Sequence, residues 1–252
     1  MILRAALLFL IAAPVAAADS PDELFKAGDY REAAVVGRAQ ATTDGFMIAG
    51  MATLARATLQ TSDKAVAREL LKQAQLDFDV VLQKSPGNFD GLLNKAVVIG
   101  YRAKLDSAPA LAKQARRNFE AILARNPDNP MANAALAGWH GQSVASLGGF
   151  LAGAALGAKE SEAIRLYEKA IALPGADPLV PHFYALNLLT LSPDNAPKAK
   201  ALLQRSLKTA PSDGFEMLLQ KHARTILPLL EKGDVEGARA AAKRLAPMGL
   251  IK

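Results

Sequence analysis

The chain contains no cysteine among its 252 residues. This absence excludes disulfide bonds, thiol nucleophiles and cysteine-based zinc sites, and it removes the residue to which a bacterial lipid anchor would attach. Aromatic residues make up only 6% of the sequence, and its lysines and arginines are interleaved with acids and do not form a basic run. We therefore predict no nucleic-acid binding, which needs a basic patch and is helped by stacking aromatic side chains.

Sequence motifs of catalysis are also missing. The chain has no Gly-x-Ser-x-Gly elbow and no His-Glu-x-x-His motif, which are the local patterns of serine hydrolases and zinc hydrolases. Its three histidines fall on different predicted helices, and no two have the spacing of metal ligands. The acidic residues are predicted to be ordinary solvated side chains. Examples are Asp77, Asp79, Glu160 and Glu162. These absences predict a protein that is not an enzyme and has no cofactor and no metal site.

Residues 1–18 have the pattern of a secretory signal peptide. Arg4 is the only charged residue among them, and it is followed by nine apolar residues, a proline and three alanines. This order matches a charged start, an apolar core and a small-residue cleavage site. We predict cleavage after Ala18 and a periplasmic or secreted protein without a lipid anchor, with an uncleaved anchor as the alternative. Cleavage lowers the formal net charge from +6 to +5.

One residue pattern returns five times along the rest of the chain. A small residue is followed four positions later by an apolar or aromatic one, three further by another apolar or small residue, and five further by proline or glycine. Four copies are Ala74-Phe78-Val81-Pro86, Ala115-Phe119-Ile122-Pro127, Ala163-Tyr167-Ala170-Gly175 and Ala199-Leu203-Ser206-Pro211. The fifth, Ala238-Ala242-Leu245-Gly249, is degenerate because its last step is four positions and not five. Steps of four and three place side chains on one face of a helix, and proline or glycine ends it. The pattern therefore predicts recurring helices.

A second class of helix is predicted between these copies. These helices begin two or three residues after a break. An alanine stands at the same place in successive copies, which indicates a close helix crossing; these alanines are Ala55, Ala96, Ala137 and Ala185. Twelve helices are predicted in total. The seventh is predicted over residues 130–147 and the eighth over residues 159–173.

The chain resembles the tetratricopeptide repeat family in this alternation and in a Gly-Asp-Tyr-x-Glu-Ala turn at Gly28–Ala33, echoed at Gly233–Ala238. The resemblance covers nearly all of residues 21–250. It implies an all-α fold, a right-handed α-solenoid of about five to six helix-turn-helix repeats, in one domain over residues 19–252. The copies are 36 to 48 residues apart, against about 34 in the family, so long helices and an insert are expected.

The insert is predicted at residues 141–158, which carry no charge. If this segment is helical, small residues at steps of four form a ridge that allows close packing or self-association. They are Gly141, Ala145, Gly149, Gly153 and Gly157. Three interpretations stay open: a packed helix or bent loop, a homo-oligomer or partner surface, and a membrane-contacting hairpin. Membrane contact is not favoured, because the segment is too rich in glycine for a clear span.

In the tetratricopeptide family the first helix of each repeat lines a concave groove, and the resemblance implies the groove positions of this chain. The candidates are Asn94, Tyr101, Met131, Gln142, His182, Phe183 and His222. This lining is mainly apolar with scattered polar groups, which suits an apolar peptide segment or ligand; the alternative is that part of it is core. We therefore predict a periplasmic, non-catalytic adaptor or scaffold that binds an unidentified protein or peptide. The alternative function is a solute-binding accessory component of a transporter.

Overall fold

The structure is a computed structural model that describes residues 19–175 and 178–251. The predicted signal peptide lies outside these residues. Within them the regular secondary structure is helical and contains no β-strand, which confirms the all-α class. No helix in the described part is both long enough and apolar enough to cross a membrane.

The described residues form thirteen α-helices. In chain order they are α1 (Pro21–Ala27), α2 (Tyr30–Ala39), α3 (Thr43–Ala55), α4 (Lys64–Lys84), α5 (Phe89–Leu105), α6 (Pro109–Arg125), α7 (Pro130–Leu147), α8 (Gly149–Leu156), α9 (Glu160–Ala172), α10 (Leu179–Leu191), α11 (Ala196–Ser206), α12 (Gly214–Glu231) and α13 (Val235–Leu245). A π-helical segment, Arg56–Gln60, extends α3, and a 3-10 turn, Pro193–Asn195, precedes α11.

Polar caps explain where many of these helices begin. Ser20 and Glu23 form a reciprocal capping box at the start of α1. At α5 and α7, Asn88 and Asn129 each accept a hydrogen bond from the backbone N–H three residues later. Such bonds satisfy amide groups that have no partner inside the first helical turn. The sequence thus marks helix starts with residues whose side chains complete the hydrogen bonding.

The insert contains a helix, α8, that is not among the twelve predicted helices, although a packed helix or bent loop was one of the three interpretations of this segment. Helix α7 ends at Leu147 because Gly148 takes φ +78°, a conformation that side chains rarely adopt, and α8 then begins in a new direction. The predicted ridge of small residues is therefore divided. Gly141 and Ala145 lie on α7, Gly149 and Gly153 on α8, and Gly157 caps α8 with φ +71°.

Most helices contact the helix that follows them in the chain, and alternate helices also contact each other. The first helices of the successive pairs together form what we call the first row, and they are α1, α3, α5, α7, α10 and α12. Each member contacts the next one, and α12 also contacts α1, so the row of contacts returns to its start. Helix α8 is inserted between the two members of the α7–α9 pair, which still pack against one another.

The contact between α1 and α12 depends on two glycines. A Cβ atom on Gly214 would lie 2.7 Å from the Gly28 nitrogen and 2.8 Å from its Cα atom, closer than a side chain tolerates. Phe215 packs beside this point against the core cluster that contains Leu24 and Tyr30. The amino-terminal core is thus completed by a side chain from near the carboxyl end.

The chain also returns to α3 at its carboxyl end. The Met248 amide donates a hydrogen bond of 2.6 Å to the Thr58 carbonyl, which lies in the π-helical extension of α3. Carbonyls in the last turn of a helix have no partner within it, so this bond satisfies one of them. Met248 is buried against Ala57 and Leu71, and Ile251 packs on the same cluster.

A buried ion pair joins α2 to α4. Arg38 donates to both carboxylate oxygens of Asp77, at 2.8 and 2.7 Å, and its Nη2 also donates to Thr53 Oγ1 at 2.7 Å. Asp77 is only 1% exposed. The prediction that Asp77 is a solvated side chain was therefore wrong, because its partner lies 39 positions earlier in the sequence.

We expect Gly214→Ala to lower the free energy of unfolding by about 1–3 kcal/mol, because the added methyl group meets rigid backbone. Gly149→Ala is the matched control, since Gly149 is also the first residue of a helix and a methyl group added there would have no neighbouring atom within 4 Å. It should be neutral or stabilising by up to about 1 kcal/mol. Urea unfolding measures both, and equal effects would contradict the close approach.

Asp77→Asn should lower the free energy of unfolding by about 2–4 kcal/mol, because it leaves the partly buried Arg38 guanidinium without its counter-charge. Asp79→Asn is the control: Asp79 is 38% exposed at its ion pair with Lys95, and such pairs contribute less than about 1 kcal/mol. Chemical denaturation of the two variants compares them directly. A loss as small for Asp77 as for Asp79 would show that the buried pair does not stabilise the fold.

Candidate functional site

Among the groove residues predicted on α5 and α7, Gln142 contacts a water-accessible cation of α5. Lys104 Nζ donates a hydrogen bond of 3.0 Å to Gln142 Oε1. Lys104 is accessible to water, but the surrounding protein atoms lower the pKa of its amine. On the same helix, burial raises the pKa of Tyr101 to about 12. Tyr101 packs against the hydrophobic cluster that contains Phe78 and Leu105, so it belongs partly to the core.

The remaining candidates of α5 and α7 have local or core roles. Asn94 donates from its side chain to the Asp90 carbonyl within α5, at 2.9 Å. Met131 is half-buried against the main hydrophobic core. Neither side chain is held toward Tyr101 or Gln142 by a hydrogen bond within the described residues.

The candidates on α10 and α12 lie together, but largely in the core. The rings of His182 and His222 have centroids 6.3 Å apart, and His182 also contacts Phe183 edge to face. His182 is only 1% exposed, and neither of its ring nitrogens has a hydrogen-bond partner among the described residues. Burial, with a smaller effect from His222, lowers the pKa of His182 to about 3. Buried residues occur on every side of α10, so this helix presents no open groove.

Close packing occurs at two of the five ridge residues. A Cβ atom on Gly141 would lie 2.0 Å from Asn187 Oδ1 on α10, and one on Gly157 would lie 2.4 Å from Arg116 Nη1. By contrast, a methyl group on Gly149 would have no neighbour within 4 Å, and Gly153 has only ordinary contact. The ridge therefore supports a crossing of α7 with α10 and the attachment of the end of α8.

A cleft of about 550 Å³ opens between α6 and α9, with α7 at its floor. Its walls carry four basic side chains and two carboxylates. These charged residues are Arg116, Lys159, Arg165, Lys169, Glu120 and Glu162. The cleft lies where the insert separates α7 from α9 in the sequence, and Gly157 is part of its rim.

Arg116 holds the insert at the edge of this cleft. Its Nη1 donates to the carbonyls of Leu156 and Gly157, at 3.1 and 3.3 Å, and its Nε donates to Glu120 at 2.7 Å. The guanidinium also lies over the ring of Trp139, 5.7 Å from its centroid. A cation that donates to the free carbonyls at a helix end stabilises that end. The insert thus depends on a residue from α6.

The other charged side chains of the cleft differ in whether they have a hydrogen-bond or ion-pair partner. Arg165 binds Glu162 one turn away on α9, at 2.8 Å, which lowers the pKa of that carboxyl group. Lys169 donates to the Pro127 carbonyl at 2.8 Å and forms an ion pair of 3.0 Å with Asp128. The Lys159 ammonium is exposed and has no hydrogen-bond or ion-pair partner among the described residues. Arg116, Arg165 and Lys169 thus each have a carboxylate partner, and the excess positive charge of the cleft is that of Lys159.

His140 lies at the floor of the cleft and is only 4% exposed. Its Nδ1 accepts a hydrogen bond of 3.2 Å from the Lys159 backbone amide, so the neutral ring carries its proton on Nε2. Burial, and then the charge of Arg116, lower the pKa of His140 to about 4. The ring is therefore neutral at pH 7 and fixes the start of α9 relative to α7.

These groups are suited to holding an anion by charge and hydrogen bonds. Cations with fixed partners and one unpaired lysine favour carboxylate groups of a ligand. No group of three or more histidine, aspartate or glutamate side chains in the described part of the chain is arranged to hold a metal ion. The arrangement thus supports recognition of an acidic surface or solute.

Sequence reasoning missed this cleft because it considered only the first helix of each pair. A signal was present: Lys159, Glu162, Arg165 and Lys169 recur at steps of three and four, and so form a charged stripe on one face of α9. The stripe follows the insert directly. An insert between two paired helices changes the surface beside them, but the sequence does not give its direction.

No protein-family model matches the chain, and a search of curated proteins finds no match.

We expect His182 to make the protein less stable as the pH falls. Its pKa is lower in the folded state than the value of about 6.5 in an unfolded chain, so the unfolded state binds the proton first. The contribution of the neutral His182 to the free energy of unfolding is complete above a pH of about 6.5. It is lost as the pH falls further, by about 1.4 kcal/mol per pH unit.

The substitution His182→Leu removes this titration. Between pH 7 and pH 5, the free energy of unfolding of the original protein should fall by about 2 kcal/mol more than that of the variant. Urea unfolding at the two pH values gives this difference. An identical pH dependence in both proteins would contradict the buried, neutral state of the ring.

Proposed function

We propose that the protein is an exported, non-catalytic adaptor of the tetratricopeptide type, and that it binds an acidic segment of a partner protein in the cleft between α6 and α9. The observation that carries this proposal is the excess of basic groups in the cleft, with the Lys159 ammonium exposed and unpaired. An acidic segment supplies the opposite charge and several carboxylates that can occupy neighbouring positions. Complementary charge of this kind mainly sets the choice of partner and the rate of association.

The repeat architecture supports the first part of the proposal. Pairs of helices follow one another, small residues lie where they cross, and the members of the first row contact in order. This arrangement fits an α-solenoid of about six pairs. Proteins built from stacked helix pairs commonly bind other proteins through extended surfaces.

The position of the binding surface differs from the concave groove implied by the family resemblance. Helix α10 is buried on all sides and α12 returns to α1, so the first row offers no continuous open face for a peptide. The cleft lies between α6 and α9, which are the second helices of two neighbouring pairs. The proposed partner therefore binds beside the insert, and its contacts with the cleft are mainly polar.

A solute-binding accessory component of a transporter is the second candidate. A cleft of about 550 Å³ falls within the range of about 300–1,000 Å³ found for small-molecule sites. The same basic groups suit a small carboxylic acid. The two candidates differ in whether the occupant is a protein segment or a solute.

Site-specific photocrosslinking in the periplasm of the producing cell tests the proposal. A photoreactive amino acid at Ala124, an exposed position on the cleft wall, should yield one discrete cross-linked protein. The double variant Lys159→Glu/Arg165→Glu should reduce this product about tenfold or more, because repulsion replaces attraction. Lys232→Glu/Lys243→Glu, two exposed positions outside the cleft, is the matched control and should leave the product unchanged.

Two results would count against the adaptor. Absence of any product at Ala124, or a product that is equally strong in both double variants, would show that the basic cleft does not hold a partner protein. Native mass spectrometry of the purified protein then tests the second candidate. A bound acid of low mass, lost in Lys159→Glu/Arg165→Glu, would favour solute binding.

A further inference from the structure

The corner between α7 and α8 exposes three large apolar side chains. Phe150 is 85% exposed, Leu151 58% and Leu147 44%. Phe150 has the highest exposure of any large apolar side chain in the described part of the chain. We call these three residues the apolar corner. No charged residue occurs between residues 141 and 158, so no charged side chain of this segment favours hydration of the apolar corner.

The corner is presented by a defined structure. Gly148 turns the chain at the end of α7, and the opposite face of α8 is buried through Ala152 and Leu156. Arg116 fixes the far end of α8 by its bonds to two carbonyls. The exposed side chains are therefore at the free end of a helix whose other end is attached to α6.

The three exposed side chains do not contribute to the packing of the core. The buried face of α8 already completes the packing against the main core, and the apolar corner projects from it. Large exposed apolar side chains that are grouped together usually mark an interaction surface. Other exposed apolar residues, such as Leu76 and Met217, lie on different helices.

A second copy of this chain is a poor match for the apolar corner. A stable protein interface needs about 800 Å² per partner, while even a large aromatic side chain buries only about 150–250 Å². Three side chains do not reach that area, and the small residues around them add little. A lipid surface has no such requirement, because a few inserted apolar side chains together with nearby positive charge are sufficient for peripheral binding.

Positive charge is present at the base of α8. Arg116 lies against the end of the helix, and Lys159 follows it in the chain with an unpaired ammonium group. A helix of this length, Gly149–Leu156, extends for about 12 Å, so these cations lie at the opposite end of α8 from the apolar corner. The chain as a whole also has a formal net charge of +6.

We propose that Leu147, Phe150 and Leu151 insert into the surface layer of a membrane that contains anionic phospholipids. The exposed ammonium of Lys159, at the base of α8, then faces the lipid phosphates. The side chains enter only the interface and cross no bilayer. This property goes beyond the adaptor function, since the three inserted side chains lie outside the lining of the cleft.

Sedimentation with phospholipid vesicles tests this proposal. The probe is the purified protein beginning at Asp19, mixed with vesicles of zwitterionic lipid alone or with about one third anionic phosphatidylglycerol. We expect binding to the anionic vesicles, and Phe150→Ser/Leu151→Ser should weaken it at least tenfold. Leu76→Ser/Met217→Ser, which removes two exposed apolar side chains elsewhere, is the matched control and should bind as the original protein does.

A second readout reports insertion itself. In the variant Phe150→Trp, the added indole should shift its fluorescence to shorter wavelength when anionic vesicles are added, while Trp139, which is buried, should not respond in the original protein. Equal vesicle binding by the two double-serine variants, or no shift at position 150, would overturn the proposal. A dimer that dissociates in Phe150→Ser/Leu151→Ser, without vesicle binding, would assign the corner to a second copy instead.

Discussion

The close approach of Gly28 and Gly214 is the constraint on which the arrangement of this protein depends. At this point the first helix of the chain meets the last member of the first row, with no room for a side chain. Phe215 and Met248 then complete core clusters that are otherwise built from amino-terminal residues. Two glycines thus allow the ends of the chain to stabilise each other, and terminal helices that would otherwise fray are covered.

This constraint also determines which surfaces remain for binding. With α12 returned to α1 and α10 buried on all sides, side chains such as His182 belong to the core. The accessible features are then those created by the insert, namely the basic cleft and the apolar corner. Arg116 links them, because one guanidinium lines the cleft and holds the carbonyls at the end of α8. The proposed partner and membrane surfaces are therefore parts of one local structure.

Much of the helical arrangement follows from the sequence, because spacing and caps are local properties. The predicted seventh helix, residues 130–147, coincides with α7, since Asn129 and Pro130 mark its start in the sequence. The separate helix after Gly148, α8, was not among the predicted helices, because glycine permits a turn without requiring one. The burial of Asp77 and the cleft beside His140 depend on contacts between residues distant in the sequence. No periodicity within one helix contains that information.

The contact between the two ends of the chain can be measured directly because the protein has no cysteine of its own. The variant Lys26→Cys/Ser212→Cys places one thiol at the end of α1 and one just before α12, where the charge of Asp213 reaches Lys26. Treatment of the folded protein with a short bis-maleimide should give nearly complete intramolecular cross-linking, seen as a mass increase of one linker and faster migration on a denaturing gel. The product should disappear when the reagent is added in concentrated urea. Failure to cross-link in the folded protein, with both thiols reactive, would contradict the closure of the first row.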